Sequence, residues 1–209
     1  MKQSLLFATA IVAFLFGATP GLTQALTPPD EQVGSEPIMP PDSDETVIDT
    51  SDTLDKLFER LKRDPKTSSA NATARMIWRE WSESGSRSVD LLMTWAARAM
   101  GAKDYAKAQD LLDHVIVLAP QYAEGWNRRA TLYYVIDDFG KSLADIETTL
   151  TLEPRHFGAL SGLAAIMQRL GREEQALEAW YRVLEIYPAN AQAQQAVILL
   201  EESLAGRKT

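Results

Sequence analysis

Three prolines in the second half of the chain recur at a fixed interval, and this interval constrains the fold more than any other feature of the sequence. Pro120, Pro154 and Pro188 are each 34 residues apart, and they close the similar segments HVIVLAP, TTLTLEP and RVLEIYP. A proline lacks the N–H that continues a helix, so each one is expected to end a helix. A fixed period of this length predicts several copies of one structural unit stacked side by side.

Alignment on the prolines divides the chain into the units Val89–Tyr122, Ala123–His156 and Phe157–Asn190. Each unit is expected to form two antiparallel helices, joined by turns at AKDY, DDFG and LGREE. The second helix of each unit has a small residue where the helices cross closely and a large apolar residue four positions later. The small residues are Ala108, Ser142 and Ala176, and the large residues are Leu112, Ile146 and Trp180.

In its period, its small residues and its prolines, the chain resembles the tetratricopeptide repeat (TPR) family, whose units have 34 residues. The resemblance covers Val89 to about Ala205, and Trp126 and Tyr133 occupy positions where the family motif has tryptophan and tyrosine. In the first and third units, Leu92 and Leu160 stand where the family motif has tryptophan, and Ala99 and Met167 stand where it has tyrosine. All four of these replacements are apolar. The resemblance implies an all-α fold, a right-handed superhelical solenoid of antiparallel helix pairs.

The segments that flank the three units predict further helices. Residues 53–88 are expected to form a helical pair, interpreted as a degenerate TPR-like unit. Its first helix has an apolar stripe at helical spacing and ends before Pro65, and its second helix is expected to bury Trp78 and Trp81. Residues 191–209 are predicted to form a capping helix and tail, with the polar outer face that the end of a solenoid requires.

The first 25 residues, MKQSLLFATAIVAFLFGATPGLTQA, have the composition of a secretory signal peptide. One lysine precedes an apolar run that begins at Leu5, and Pro20 and Gly21 interrupt this run. The run is too short to span a bilayer as a helix, so cleavage after Ala25 is expected, with no stable membrane insertion afterwards. A retained membrane anchor is the alternative. The sequence therefore predicts an exported protein of the bacterial periplasm.

Residues 26–52 carry eight acidic residues, no basic residue and five prolines. Such a segment buries too little apolar surface to offset the entropy of ordering it, so a disordered linker is predicted. Residues 53–88 are basic, with eight lysines and arginines against five acidic residues. A contact between the two segments is therefore one hypothesis, and a simple spacer is the alternative.

Composition argues against several classes of function. The net charge of −8 disfavours binding to nucleic acid. The chain has no cysteine, and its two histidines, His114 and His156, do not have the spacing of a paired metal site. The fragments GKS and DFG lack the loops that accompany them in phosphate-binding proteins and kinases. We therefore predict no catalytic residue, no metal site and no cofactor.

The TPR resemblance implies that the first helix of each unit lines a concave groove. Arg128 is expected to face this groove, together with residues at helical spacing from it. The predicted partner-binding residues are Asn127, Arg128, Thr131 and Tyr134 in the second unit and Ser161, Gln168 and Arg169 in the third. The alternative is that these side chains are only solvated, because every solenoid has a concave face whether or not it is used.

The same resemblance implies a structural role for Arg129. TPR sequences with an arginine at this position often have an aspartate on the second helix of the unit, and Asp145 occupies that place here. A buried Arg129–Asp145 pair is therefore expected. Pro120, Pro154 and Pro188 are also expected to be structural, as helix ends.

Some TPR proteins clamp the C-terminal carboxylate of a chaperone peptide with lysine, arginine and asparagine side chains. The corresponding positions here are Met93, Ala97, Arg128, Gly158 and Gly162. Only one of these side chains is basic, so the carboxylate clamp is not expected in this chain.

The sequence as a whole predicts a non-catalytic protein-interaction module, an adaptor or scaffold that holds a peptide or helix of a partner protein in its groove. The alternatives are a homo-oligomerising structural protein and a binder of an anionic small molecule or glycan. The identity of the partner, the pathway and the oligomeric state do not follow from the sequence, since one fold serves many functions.

Overall fold

The computed structural model describes residues 50–206, with side chains from residue 53 onward. Within this range the chain forms nine helices and no strand. The helices are α1 Thr50–Arg63, α2 Thr67–Ser82, α3 Arg87–Gly101, α4 Tyr105–Leu118, α5 Ala123–Val135, α6 Phe139–Leu152, α7 Phe157–Arg169, α8 Glu173–Ile186 and α9 Ala191–Gly206. The predicted signal peptide, the predicted linker up to residue 49 and residues 207–209 lie outside the described residues.

The helices stack in the order of the chain. Helices α3 and α4, α5 and α6, and α7 and α8 form three pairs, and the second helix of each pair packs on the first helix of the next. Helices α4, α6 and α8 end at Leu118, Leu152 and Ile186, each two residues before a proline of the 34-residue period. The predicted all-α solenoid of antiparallel helix pairs is confirmed.

The close crossing within each pair depends on the small residues of the second helices. Ala108, Ser142 and Ala176 all have 0% of their surface exposed. Ser142 is the polar member of this set, and its hydroxyl donates to the Ala130 carbonyl at 2.8 Å, so the buried oxygen is hydrogen-bonded. This crossing brings α5 against α6, and α7 then packs on α6.

The N-terminal pair, α1 and α2, has its principal contacts with α5 and α8. Its aromatic side chains pack against the segment that joins α6 to α7, with Trp81 stacked on His156 and Phe58 beneath the Arg155 guanidinium. Arg155 also forms a salt bridge with Asp55, and the Tyr187 hydroxyl donates to Asn71. We call α1 and α2 the cover. Its interpretation as a repeat-like unit stays a prediction.

The turns within the three pairs share one backbone conformation. Lys103, Asp137 and Gly171 lie at the same position of the 34-residue period, and all have a positive φ, at 60°, 60° and 69°. The next residue in each turn donates its N–H to a carbonyl five residues earlier, at 2.8 to 2.9 Å. This is the Schellman motif, in which a left-handed residue ends a helix. Only the third turn has the glycine that adopts this conformation without a steric penalty.

We expect Lys103→Gly to raise the free energy of unfolding by about 0.5–1 kcal/mol, because glycine removes the penalty for a left-handed β-carbon. Lys103 is exposed, so little else changes. The reverse substitution in the third turn, Gly171→Ala, should lower the free energy of unfolding by a similar amount. Urea denaturation measures both values. A loss of stability in Lys103→Gly would contradict this account of the turns.

Candidate functional site

A cavity of about 120 Å³ opens between α5, α6 and α7. We call it the recess. Its lining consists of Asn127, Ala130, Thr131 and Tyr134 from α5, Ser142 and Ile146 from α6, and Gly158, Gly162 and Ala165 from α7. Three of the predicted partner-binding residues, Asn127, Thr131 and Tyr134, therefore line one cavity.

A buried carboxylate lies beside the recess at the start of α5. Glu124 is 1% exposed, and its carboxylate accepts from Asn127 at 2.7 Å, from Arg128 at 2.6 Å and from Nε2 of His156 at 3.2 Å. Burial by itself would raise the pKa of Glu124, but the hydrogen bond from His156 and the charge of Arg128 outweigh it and hold that pKa below its usual value. Glu124 is therefore ionised at neutral pH.

The hydrogen bonds of His156 define its tautomer. This residue is the N-cap of α7, and its Nδ1 accepts from the backbone N–H of Ala159 at 3.1 Å. Since Nδ1 is an acceptor, the ring proton belongs on Nε2, where it points at Glu124. The Trp81 ring stacks on the imidazole with 4.0 Å between centroids. His156 thus connects α5, α7 and the cover.

Trp78 of the cover lies over the first turn of α7. A β-carbon added to Gly158 would lie 2.6 Å from Cη2 of Trp78, which is closer than carbon atoms approach. A β-carbon added to Gly162, one turn further along, would lie 3.5 Å from Cδ1 of Ile146, an ordinary contact. Trp78 therefore fills the space beside Gly158, whereas the space beside Gly162 would hold a β-carbon without a clash.

The predicted basic residues are paired within the chain. The side chain of Arg128 is 37% exposed and forms its salt bridge with Glu124. Arg169 forms a salt bridge of 2.7 Å with Asp137, and its guanidinium lies 5.3 Å from the ring centroid of Phe139. Each cation therefore has a carboxylate partner in its own chain.

The remaining predicted residues differ in their availability to a partner. Asn127 is 8% exposed and donates to Glu124, so little of it faces outward. The Ser161 hydroxyl donates to the Phe157 carbonyl, and Gln168 accepts from Trp180 on α8. Thr131 is exposed at the rim of the recess. Partner contact by any of these residues stays a prediction.

Arg129 joins three helices. It donates to both oxygens of Asp145 on α6 at 2.8 Å, which is the pairing implied by the family resemblance, and to Asp113 on α4 at 2.6 Å. The pKa of Arg129 lies above its usual value despite burial. The hydrogen bonds to Asp145 are the main cause, and the hydrogen bond to Asp113 is a further cause. The contact with Asp113 links the first unit to the second, and the sequence analysis did not predict it.

The sequence analysis also missed the Glu124–His156 contact. A glutamate in the first turn of a helix is common, because the helix dipole favours an acid there. Its presence in α5 is therefore no sign of burial. The two residues belong to different helices, and only the packing of α7 beside α5 brings them together.

Two further properties bear on function. Among the described side chains, no group of three or more histidines and acidic residues is arranged to hold a metal ion. Between residues 50 and 206, no helix combines the length and the apolar character needed to cross a bilayer.

Known proteins are similar to this chain over most of its length. A TPR repeat-containing protein of Rhizobium etli is 50% identical over 156 residues, which are 75% of this chain and 76% of the relative. Small glutamine-rich tetratricopeptide repeat-containing protein 2 of Saccharomyces cerevisiae is 29% identical over 109 residues, which are 52% of this chain and 31% of the relative. No family model matches the chain.

Solved structures show the same fold. The Sgt2 TPR domain from Aspergillus fumigatus has a TM-score of 0.54 at 21% identity, and the match covers 59% of this chain and 83% of that one. The first TPR domain of RPAP3 (Spaghetti), bound to the HSP90 peptide SRMEEVD, has a TM-score of 0.53 at 22% identity, with coverage of 56% and 93%. MamA has a TM-score of 0.52 at 17% identity, with coverage of 76% and 85%.

We expect Glu124→Gln to lower the free energy of unfolding at pH 7 by about 1–3 kcal/mol, since it removes the acceptor charge that three donors share. The pKa of Glu124 is lower in the folded chain than its ordinary value of 4.5. The stabilisation is therefore complete above about pH 4.5 and is lost as the pH falls through the folded pKa. Urea denaturation at pH 7 and at lower pH should show the difference from wild type shrinking with acidification.

The exposed Glu147 on α6 provides the matched control. Glu147→Gln should change the free energy of unfolding by less than about 0.5 kcal/mol at either pH, as surface substitutions usually do. Equal effects of the two substitutions would contradict the role given to Glu124.

Proposed function

Because this chain belongs to the tetratricopeptide repeat-containing proteins, we propose that it is a non-catalytic adaptor or scaffold that holds a peptide or helix of a partner protein. The observation that supports this proposal is the recess, an open cavity of about 120 Å³ between the two helices of the second unit and the first helix of the third. Pre-formed grooves of this kind bind a segment of chain with little loss of conformational freedom in the receptor.

The RPAP3 domain of the same fold has been solved with an HSP90 peptide, which makes peptide binding a reasonable function to propose here. The chemistry of recognition differs, however. The positions expected for a carboxylate clamp include Met93, Ala97 and Gly162, which offer no charge. Gly158 lies beneath Trp78. We therefore do not assign a carboxylate-terminated peptide to this groove.

We further propose that the protein acts in the bacterial cell envelope, as a periplasmic protein. The support is the N-terminal sequence, in which one lysine and a short apolar run precede small residues at Thr23 and Ala25. The similarity to a Rhizobium etli protein is consistent with a bacterial source.

We expect Thr131→Arg to weaken partner binding strongly, because it places a long charged side chain at the rim of the recess. Thr151→Arg on α6 is the matched control, since both threonines are exposed and both donate to the carbonyl four residues earlier. Immobilised wild-type and variant proteins would be incubated with extract of the cells that produce the chain, and the retained proteins quantified by mass spectrometry. A partner should be retained by wild type and by Thr151→Arg, and at least about tenfold less by Thr131→Arg.

Retention of the same partner by Thr131→Arg would contradict groove binding and would place recognition elsewhere on the protein. Loss of the partner from both variants would show that added positive charge, rather than its position, decides binding. Retention of a second copy of the chain alone would favour the homo-oligomer alternative, which light scattering at several concentrations would then test.

A further inference from the structure

The recess has the dimensions of a site for one side chain. Its volume of about 120 Å³ is close to that of the apolar cavity of about 150 Å³ that holds benzene in another protein. The lining residues Ala130 and Ile146 are each 3% exposed, and Tyr134 lines the recess beside them. Gly162 contributes no side chain, so the volume that a side chain would fill there is empty.

Three polar side chains of the lining donate hydrogen bonds within the chain. The Thr131 hydroxyl donates to the Asn127 carbonyl at 2.9 Å, and the Ser142 hydroxyl donates to the Ala130 carbonyl at 2.8 Å. The Asn127 amide donates to Glu124 at 2.7 Å. A polar guest would find these three donors engaged, and against Ala130 and Ile146 it would lose its own hydrogen bonds to water, which is unfavourable.

The charges around the recess are also balanced within the chain. Arg128 pairs with Glu124 at 2.6 Å, and Arg169 pairs with Asp137 at 2.7 Å. A carboxylate that entered the recess would compete with these pairs for the cation, and an incoming cation would compete with the arginines for the carboxylate. By charge complementarity, the guest that fits is uncharged.

Resting on the function proposed above, we propose that the recess is a pocket for one uncharged apolar side chain, aliphatic or aromatic, projected by the partner segment. The segment passes over the exposed Thr131 and inserts this side chain between Tyr134 and Gly162. Trp78 limits its path at Gly158, so the pocket is entered from the Gly162 side. The fit of this side chain in the pocket determines which partners bind. The rest of the groove surface contributes only shape complementarity to the segment.

Filling the pocket from within tests this proposal. In Gly162→Ala and Gly162→Val the first added carbon meets only an ordinary contact at 3.5 Å from Ile146. Alanine favours a helix more than glycine does, so Gly162→Ala is expected to be at least as stable as wild type. Gly101→Ala is the control, because a β-carbon at Gly101 of α3 meets nothing within 4 Å. Circular dichroism and urea denaturation establish that each variant is folded.

The first probe is benzene, titrated into the protein and followed by NMR of the Ile146 methyl group and the backbone amide of residue 162. In wild type and in Gly101→Ala the shifts should be saturable and confined to the recess. In Gly162→Val they should be absent, and in Gly162→Ala the affinity should fall. Shifts that persist unchanged in Gly162→Val would overturn the pocket.

The second probe is a displayed library of random 12-residue peptides, selected on the wild-type protein. We expect the selected peptides to share one large apolar residue. A synthetic peptide of this set should bind at least tenfold more weakly to Gly162→Val than to wild type, and tenfold more weakly to wild type after serine replaces its apolar residue.

The outcomes separate this inference from the proposed function. Peptides that lose binding to Thr131→Arg but bind Gly162→Val as well as wild type would leave groove binding intact and overturn the apolar pocket. Selected peptides that share an acidic or basic residue instead of an apolar one would also overturn the apolar pocket and leave groove binding intact. Selection of no peptide, together with no benzene shift, would count against both proposals.

Discussion

A carboxylate buried at the start of α5 holds the geometry on which the recess depends. Removing an ionised group from water costs several kcal/mol, so the Glu124 charge is tolerated only where its donors are held in place. Those donors come from α5 itself and from His156, the N-cap of α7. The carboxylate thereby fixes how far α7 lies from α5. The recess lies in the gap between these two helices, at the positions where α7 has glycine and alanine instead of larger side chains.

The cover completes this arrangement on the other side of His156. Trp81 stacks on the imidazole, and Trp78 lies over Gly158, so water is kept from the buried pair of Glu124 and His156. Trp78 also occupies the space beside Gly158 in the first turn of α7. One set of aromatic contacts therefore protects the ionic pair and fills the space at the first turn of α7.

The period of the prolines was enough to predict the three helix pairs, and the pairing of Arg129 with Asp145 followed from the family resemblance. Helical spacing put Asn127 on the same face of α5 as Thr131 and Tyr134, and all three line the recess, but it could not show that the amide of Asn127 donates to Glu124. The apolar stripe of α1 predicted that one face of this helix is buried, but a stripe does not show which helices pack against that face. Contacts such as that between Glu124 and His156 arise from tertiary packing of separate units, and no spacing rule encodes them.

The position of the cover has a consequence for the order of folding during synthesis. Asp55 and Arg155 are 100 residues apart, and Asn71 and Tyr187 are 116 residues apart. Contacts at such separation form late, because the chain must close a long loop to make them. Helices α1 and α2 can therefore complete these contacts only after the third unit has been synthesised. A nascent chain that ends before His156 leaves Trp78 and Trp81 without the ring of His156, against which both pack, and apolar surface exposed in this way favours aggregation.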